Sequence, residues 1–424
     1  MRKAVLALLV LALVVRLAVI ATTPDYKLYA DPGDYQRHAV ALSDEGRYPP
    51  PTPAFKGETA YRPPGYPVFL AAVYTVTPGH SVDVARVAQA LLGTLTVALT
   101  SLVARQLFGR RVGLAALALA AVYPSMWMIG NALLSEVLLT PLVLGAVAAA
   151  LHYRLRDPRL RWIVLAGVLA GLATLTRQNA LLMLVPLVIA ALPPRGERRT
   201  ARRYAPAALA AAAALLTIAP WTIRNAAAVD AFVPVSTQDG FTLAGTYNDM
   251  ARDQERWPAA WVVWFDVPEN LEALRGMENA EPEWSDALRS HAIDYAREHP
   301  GYVVKVAWWN LRRDFDAAGV DWIRSELGIT ATAKLAVVEL VTFWLLAALA
   351  IGGAATAAAR RAPWWVWLVP LSMVATVFVV GYLRFRAPVD PFVVMLAALG
   401  AVALIDRVRG GEVSRRRTPS APPS

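Results

Sequence analysis

The chain contains no cysteine. That excludes a disulfide framework, a Cys-based zinc site and a thiol nucleophile. Histidine is scarce, and the five present (His38, His80, His152, His291 and His299) show no H-E-x-x-H or similar metal spacing. There is no G-x-x-x-x-G-K-[ST] loop and no G-x-S-x-G elbow, so a soluble nucleotide donor is not indicated. Internal repeats and heptad arrays are also missing. Charge is thin at 17 % of residues, where soluble domains carry about a quarter. Apolar residues fill the difference at 57 %, and they come in blocks, as bilayer-spanning segments do.

The first block, Ala4 to Ala21, follows Arg2 and Lys3. A basic start and an apolar core could be a cleaved signal. No Ala-x-Ala-like site follows, Arg16 interrupts the run and further apolar blocks come later, so an uncleaved first helix is expected. At about 20 residues per span, the other spans are expected near 83–104, 112–130, 133–152, 162–177, 178–193, 204–222, 334–358, 364–383 and 388–405. The pair at 162–193 is short, and Arg177-Gln178-Asn179 between its members marks a surface turn or a protein-lined site.

Arginine sets the orientation. Arg105, Arg110 and Arg111 share one loop, Arg154, Arg156, Arg159 and Arg161 the next on that side. Arg195, Arg198, Arg199, Arg202 and Arg203 form a third, Arg360 and Arg361 a fourth, and the tail adds Arg407, Arg409, Arg415, Arg416 and Arg417. With about ten spans these all fall on the side of the N-terminus, which the positive-inside rule makes cytoplasmic. The formal charge of +10 is thereby explained without a nucleic-acid partner. The fold class expected is an all-α polytopic membrane protein. A module at 1–222 contains an outer loop at about 22–82; a mostly helical outer subdomain occupies 223–333; the last spans occupy 334–405; and 406–424 is a basic tail, disordered in its Pro/Ser-rich end from Thr418 to Ser424. The outer subdomain carries Trp257, Trp261, Trp264, Trp284, Trp308, Trp309 and Trp322, which suit a membrane interface, a carbohydrate surface or ordinary core packing. Ser285 to Asn310 reads as an amphipathic helix broken at Pro300.

Chemistry is expected on the outer face. Asp31 and Asp34 share one face if their segment is helical, and either could accept a proton from a hydroxyl. Asp34 also suits a helix N-cap. Glu136 stands at a span entrance, as a functional carboxylate or as an acid favoured by the helix dipole, with Ser135 a potential cap. Arg62, Arg177, Arg224, Arg384 and Arg386 break the positive-inside rule, and a guanidinium fork fits a phosphate. The alternative for each is a bridge to a local carboxylate, such as Arg386 with Asp390, or to a lipid head group.

Taken in order, Asp31-Pro32-Gly33-Asp34-Tyr35, Tyr61-Arg62-Pro63-Pro64-Gly65-Tyr66-Pro67, Ser135-Glu136, Leu175-Thr176-Arg177, Pro220-Trp221-Thr222-Ile223-Arg224-Asn225 and Arg384-Phe385-Arg386-Ala387-Pro388 resemble the bacterial GT-C glycosyltransferases of family 39. These are related to protein O-mannosyltransferases and aminoarabinose transferases. The resemblance runs over residues 1–405. It implies a GT-C bundle in a bacterial cytoplasmic membrane, both termini inside, that moves a sugar from a polyprenyl-phosphate carrier to a cell-envelope acceptor with inversion. It implies a base at Asp31 or Asp34, a second acid at Glu136, and carrier-phosphate contacts at Arg62, Arg177, Arg384 and Arg386 with Tyr66. No cofactor is implied; related oligosaccharyltransferases use a divalent metal, but the branch resembled here generally does not. The chain lacks the adjacent Asp-Glu pair and the β-trefoil insert of the protein O-mannosyltransferases, which leaves the acceptor open among glycan, lipid and protein. The competing readings are a transporter or flippase for a lipid-linked substrate and a non-catalytic membrane assembly protein.

Overall fold

Helix signals in the sequence are used where they fall. Ser81 opens a long helix by accepting the Val84 N–H, Asp83 sits in its first turn, and the apolar run to Phe108 ends at Gly109, φ 88°. The computed structural model describes residues 2–24, 26–50, 57–193, 200–278, 280–327 and 333–416. Among these it contains helices and no strand. The expected cytoplasmic Arg195, Arg198 and Arg199, Arg417 and the tail Thr418 to Ser424 lie outside the described residues.

Helices stand at every expected span. Among the described residues, six are long and apolar enough to cross a bilayer: Arg2–Ala21, Val82–Phe108, Glu136–Leu155, Arg202–Val229, Ala333–Ala354 and Asp390–Arg409. A seventh counts if Arg110–Val122 and Pro124–Asn131, bent by 60°, form one span. The bend follows from Pro124, which lacks an N–H and holds Tyr123 extended at ψ 120°. At the remaining expected positions stand shorter apolar helices, Leu160–Thr176, Gln178–Ala191 and Trp365–Phe378, which are not long enough to count as crossings. Extended Arg177 (φ −149°, ψ 124°) separates the first two of these, so the polar break in the sequence is a true break in the helix. The seventh expected span runs past Thr222 to Val229, where Asp230 turns left-handed at φ 49°.

The bundle core joins Val97, Leu117, Leu139, Leu144, Ile163, Leu187, Phe343 and Met395. Leu6, Val10, Val14 and Leu17 of the first helix face outward, as lipid contact requires. Helices Ala333–Ala354 and Asp390–Arg416 cross at glycines. A Cβ on Gly353 would lie 2.0 Å from the Leu396 carbonyl oxygen, and one on Gly400 2.1 Å from that of Leu349.

Two polar segments leave the bundle. In the first, Ala30–Glu45 and Gly65–Thr75 pack through Tyr35, Ala39, Tyr66, Leu70 and Tyr74. The second is a helical subdomain containing Gln238–Thr246, Glu281–Glu298 and Pro300–Asp314; the last two helices are separated at His299, as Pro300 at the first helical position requires. The subdomain docks on the bundle where Asn310 Nδ2 donates to the Val377 carbonyl (2.9 Å) and Thr246 Oγ1 to that of Val379 (2.6 Å).

Candidate active site between the bundle and the helical subdomain

The Ala30–Glu45 helix begins at Ala30, which is left-handed at φ 46°, with extended Tyr29 as its N-cap. Asp34 is therefore a turn inside the helix and does not cap it, contrary to that expectation. The three-residue spacing puts Asp31 and Asp34 on one face, and both reach Arg62. Arg62 Nη2 donates to Asp31 Oδ1 at 2.5 Å and Nε to Asp34 Oδ2 at 2.6 Å. Arg384 Nη2 donates to the other Asp31 oxygen at 2.5 Å. Arg37 Nη2 donates to Asp34 Oδ1 at 2.6 Å. Arg177 Nη1 donates to Glu136 Oε1 at 2.5 Å, and Arg384 Nε stands 3.9 Å from the same oxygen. The result is one chain of alternating charge: Arg177, Glu136, Arg384, Asp31, Arg62, Asp34, Arg37.

Each link is held from behind. Tyr48 Oη donates to the carbonyls of Arg62 (3.1 Å) and Pro63 (3.3 Å), fixing the Arg62-Pro63-Pro64 backbone. Gly65 lets this segment lie against Leu175-Thr176, because a Cβ there would meet Thr176 Oγ1 at 2.6 Å. The two separated motifs are thereby put side by side, Arg62 and Arg177 included. Arg177 lies 4.3 Å over the Phe385 ring and Arg384 5.2 Å from it.

Burial alone would raise the Asp31 carboxyl, but Arg62 and Arg384 outweigh it and hold it below the usual carboxylate range. For Asp34 burial again works upward and is outweighed by His38 and Arg62. Both acids are anions at neutral pH.

Five of these groups line a cavity of about 580 Å³. Asp31, Asp34, Arg62, Arg177 and Arg384 line it, together with the aromatic Tyr61, Phe241, Trp261, Trp264, Phe265, Tyr382 and Phe385 and the polar Gln178, Asn179, Gln238 and Asp239. Of the seven tryptophans in the second segment, Trp261 and Trp264 face the cavity. Trp322 packs against Trp257 and Tyr382.

Three expected site residues are placed elsewhere. Arg386 is fully buried. Its guanidinium meets Asp316 Oδ2 at 2.8 Å, Glu339 Oε1 at 2.7 Å and Asp390 Oδ1 at 2.8 Å. It does not line the cavity, because Leu383–Arg386 is a three-residue-per-turn helix and sends residues two apart in different directions. The Arg386–Asp390 pair is present and is one part of a larger buried node. Tyr66 is on the inward face of its helix, its hydroxyl donating to Gln89 Oε1 at 2.5 Å. Glu136 lies behind Arg177 and Arg384 and lines a separate cavity of about 30 Å³ that it shares with Asp390. Ser135 does not cap the Glu136 helix; its hydroxyl accepts from Tyr35 Oη at 3.1 Å.

Sequence reasoning did not single out Arg37, Gln238 or Asp239. Arg37 lies inside the Ala30–Glu45 helix, and Gln238 and Asp239 open the Gln238–Thr246 helix, positions whose neighbours only packing decides. Arg224, outside the cavity lining, donates to the Thr59 carbonyl and to Glu58 (3.0 Å).

Residues 61–223 match the family model described as dolichyl-phosphate-mannose-protein mannosyltransferase. The match includes Arg62, Glu136 and Arg177 and excludes Asp31, Asp34 and Arg384. No curated protein matches the chain. Among solved structures, the oligosaccharyltransferase AglB of Archaeoglobus fulgidus, in complex with an inhibitory peptide and a dolichol-phosphate, superposes with a TM-score of 0.55 at 14 % identity. The alignment covers 99 % of this chain and 52 % of AglB. The apo form of the A. fulgidus enzyme gives 0.55 at 13 % identity, over 98 % of this chain and 53 % of that one. ArnT of Cupriavidus metallidurans bound to undecaprenyl phosphate gives 0.47 at 17 % identity, over 97 % and 81 %. The chain thus has the GT-C fold of the archaeal enzyme and spans about half its length.

Proposed function

We propose that this chain is a membrane glycosyltransferase that moves a sugar from a polyprenyl-phosphate carrier to an acceptor hydroxyl of the cell envelope, with inversion. The observation that carries the reading is the cavity: three arginines and two carboxylates from three distant segments meet in its lining, among aromatic side chains. The 61–223 match, to a model named for a dolichyl-phosphate sugar, and the shared fold support the same class.

The chemistry follows from the leaving group. As the bond from the anomeric carbon to the phosphate oxygen breaks, its electron pair stays on the phosphate. Arg62, Arg177 and Arg384 stabilise that growing charge more than the ground state. The acceptor oxygen forms the new bond to the anomeric carbon from the opposite face, and its proton passes to Asp31 or Asp34. Both are ionised and both border the cavity, so both remain candidates for the base. Glu136 touches Arg177 and orients it from behind.

The helix ends agree with a site on the outer face of a bacterial cytoplasmic membrane, both termini inside. Glu136 opens a helix whose last turn carries Arg154, so the arginine-rich turn lies one helix length from the site.

The test is transfer by purified chain in lipid nanodiscs, given undecaprenyl-phosphate sugars and a panel of glycan, lipid and peptide acceptors. One of Asp31→Asn and Asp34→Asn should lose about 10²-fold or more in rate while still binding undecaprenyl phosphate. Glu136→Gln should weaken donor use through Arg177. Carriage of a lipid-linked sugar across vesicles with no donor consumed would instead establish a transporter, and full activity in both Asp→Asn variants would remove the base.

A further inference from the structure

The break between Leu160–Thr176 and Gln178–Ala191 presents more than Arg177. Gln178 is held in place by Ser236, whose hydroxyl donates to Gln178 Oε1 at 2.9 Å. That bond ties the break to the segment leading into the Gln238–Thr246 helix. Asn179 on one side of it and Gln238 on the other both line the large cavity. Both are half-buried, and neither carboxamide has a hydrogen-bond partner among the described residues. Two amides with free donors and acceptors thus line the cavity that the arginines also line.

We propose that Asn179 and Gln238 read the hydroxyls of the transferred sugar, and that this sugar is neutral. The inference rests on the glycosyltransferase reading above. A glycosyl phosphate joins its sugar to phosphorus through one oxygen, so a phosphate on Arg177 puts the ring at the next residues outward. The Cα of Asn179 is two residues from that of Arg177, within about 7 Å. A carboxamide donates and accepts at once, which matches a hydroxyl.

The charge class follows from the ion pairs. Every carboxylate lining the cavity is engaged: Asp31 by Arg62 and Arg384, Asp34 by Arg62, and Asp239 by Arg289 at 2.9 Å. An ammonium on the sugar would meet no unpaired acid. Arg37, Arg62, Arg177 and Arg384 stand against Asp31, Asp34 and Glu136, so this chain of ion pairs carries one net positive charge, which the single negative charge of the phosphodiester balances and an ammonium would exceed. A carboxylate on the sugar would add a second with nothing to balance it.

The experiment uses the full chain in nanodiscs with three kinds of undecaprenyl-phosphate donor: neutral hexose or pentose, amino sugar and uronic acid. Donor consumption is followed by release of undecaprenyl phosphate, and bare undecaprenyl phosphate serves as a separate binding probe. Neutral donors should be consumed at least tenfold more efficiently than the charged ones. Asn179→Ala and Gln238→Ala should each lower kcat/KM for the neutral donor about tenfold. Both variants should bind bare undecaprenyl phosphate within about twofold of the parent chain, and Asn179→Gln should retain more activity than Asn179→Ala. Equal or better use of a charged donor overturns the inference. So does a loss of bare-carrier binding that matches the loss of donor use, since the amides would then only shape the site. A chain that binds the carrier but ignores the sugar also refutes it, while a chain that neither binds carrier nor consumes any donor refutes the glycosyltransferase reading itself.

Discussion

Asp31 carries a guanidinium on each oxygen. Its folded pKa is below the ordinary 3.8. The sign of its pH effect follows: its stabilising contribution is complete above that ordinary value and is lost as pH falls through the lower folded value. Asp34 behaves alike. We therefore expect no acid limb from either base candidate between about pH 5 and pH 7 in kcat/KM, and an equal relative defect of the Asp→Asn variants at both ends of that window. A limb near pH 6 that vanishes in Asp31→Asn would contradict this. Arg384 provides a second residue-scale test. Lysine keeps the charge but cannot reach Asp31, Glu136 and a phosphate with one planar fork. Arg384→Lys should raise the donor KM about 10- to 100-fold with little change in melting temperature.

At the scale of elements, the Leu383–Arg386 turn separates two arginines into two tasks. Arg384 enters the cavity, and Arg386 ties the turn to Asp316, Glu339 and Asp390. Removing the one cation from three buried acids leaves them unpaired, so Arg386→Leu should cost about 3–5 kcal/mol and show first as lost folded protein. Arg384→Leu, at the cavity edge, should leave folding nearly intact, and the contrast is measurable by thermal melts in detergent. The Gly65 contact is a second element-scale test. A methyl group there must displace Leu175-Thr176. Gly65→Ala should cost about 1–3 kcal/mol and weaken donor use by separating Arg62 from Arg177.

For the whole molecule, Glu281 joins the two polar segments. Its carboxylate accepts from Thr59 Oγ1, the Ala60 N–H (3.0 Å) and Thr237 Oγ1 (2.8 Å). Glu281 is buried. Burial raises its carboxyl above the ordinary 4.5, and the three donors only partly offset that. Here the sign is opposite to that of Asp31. The contribution is complete below about 4.5 and is lost as pH rises through the folded value. Glu281→Gln should flatten that part of the pH–stability curve. Glu281→Ala should cost about 2–4 kcal/mol and raise amide exchange at Thr59 to Arg62. Unchanged exchange there would mean that the contact does not hold the segments together.

The helical class, the positions of the apolar helices and the break at Arg177 are legible in the sequence, because apolar block length and polar interruptions are local properties of the chain. The shared face of Asp31 and Asp34 is legible for the same reason. A three-residue spacing fixes it once the segment is helical. What tertiary structure alone decides is which charges meet. Arg384 and Arg386 look equivalent in sequence and separate only when the turn is packed between the cavity and the Asp316–Glu339–Asp390 node. Tyr66 belongs to the Tyr61-Arg62-Pro63-Pro64-Gly65-Tyr66-Pro67 motif, yet Gln89 takes its hydroxyl. Asp34 looks like a cap until the helix is seen to start at Ala30. Local patterning sets where helices begin and how they face, whereas ion pairing depends on distances of a few ångströms between residues hundreds of positions apart, such as Asp31 and Arg384. Those distances exist only in the packed chain.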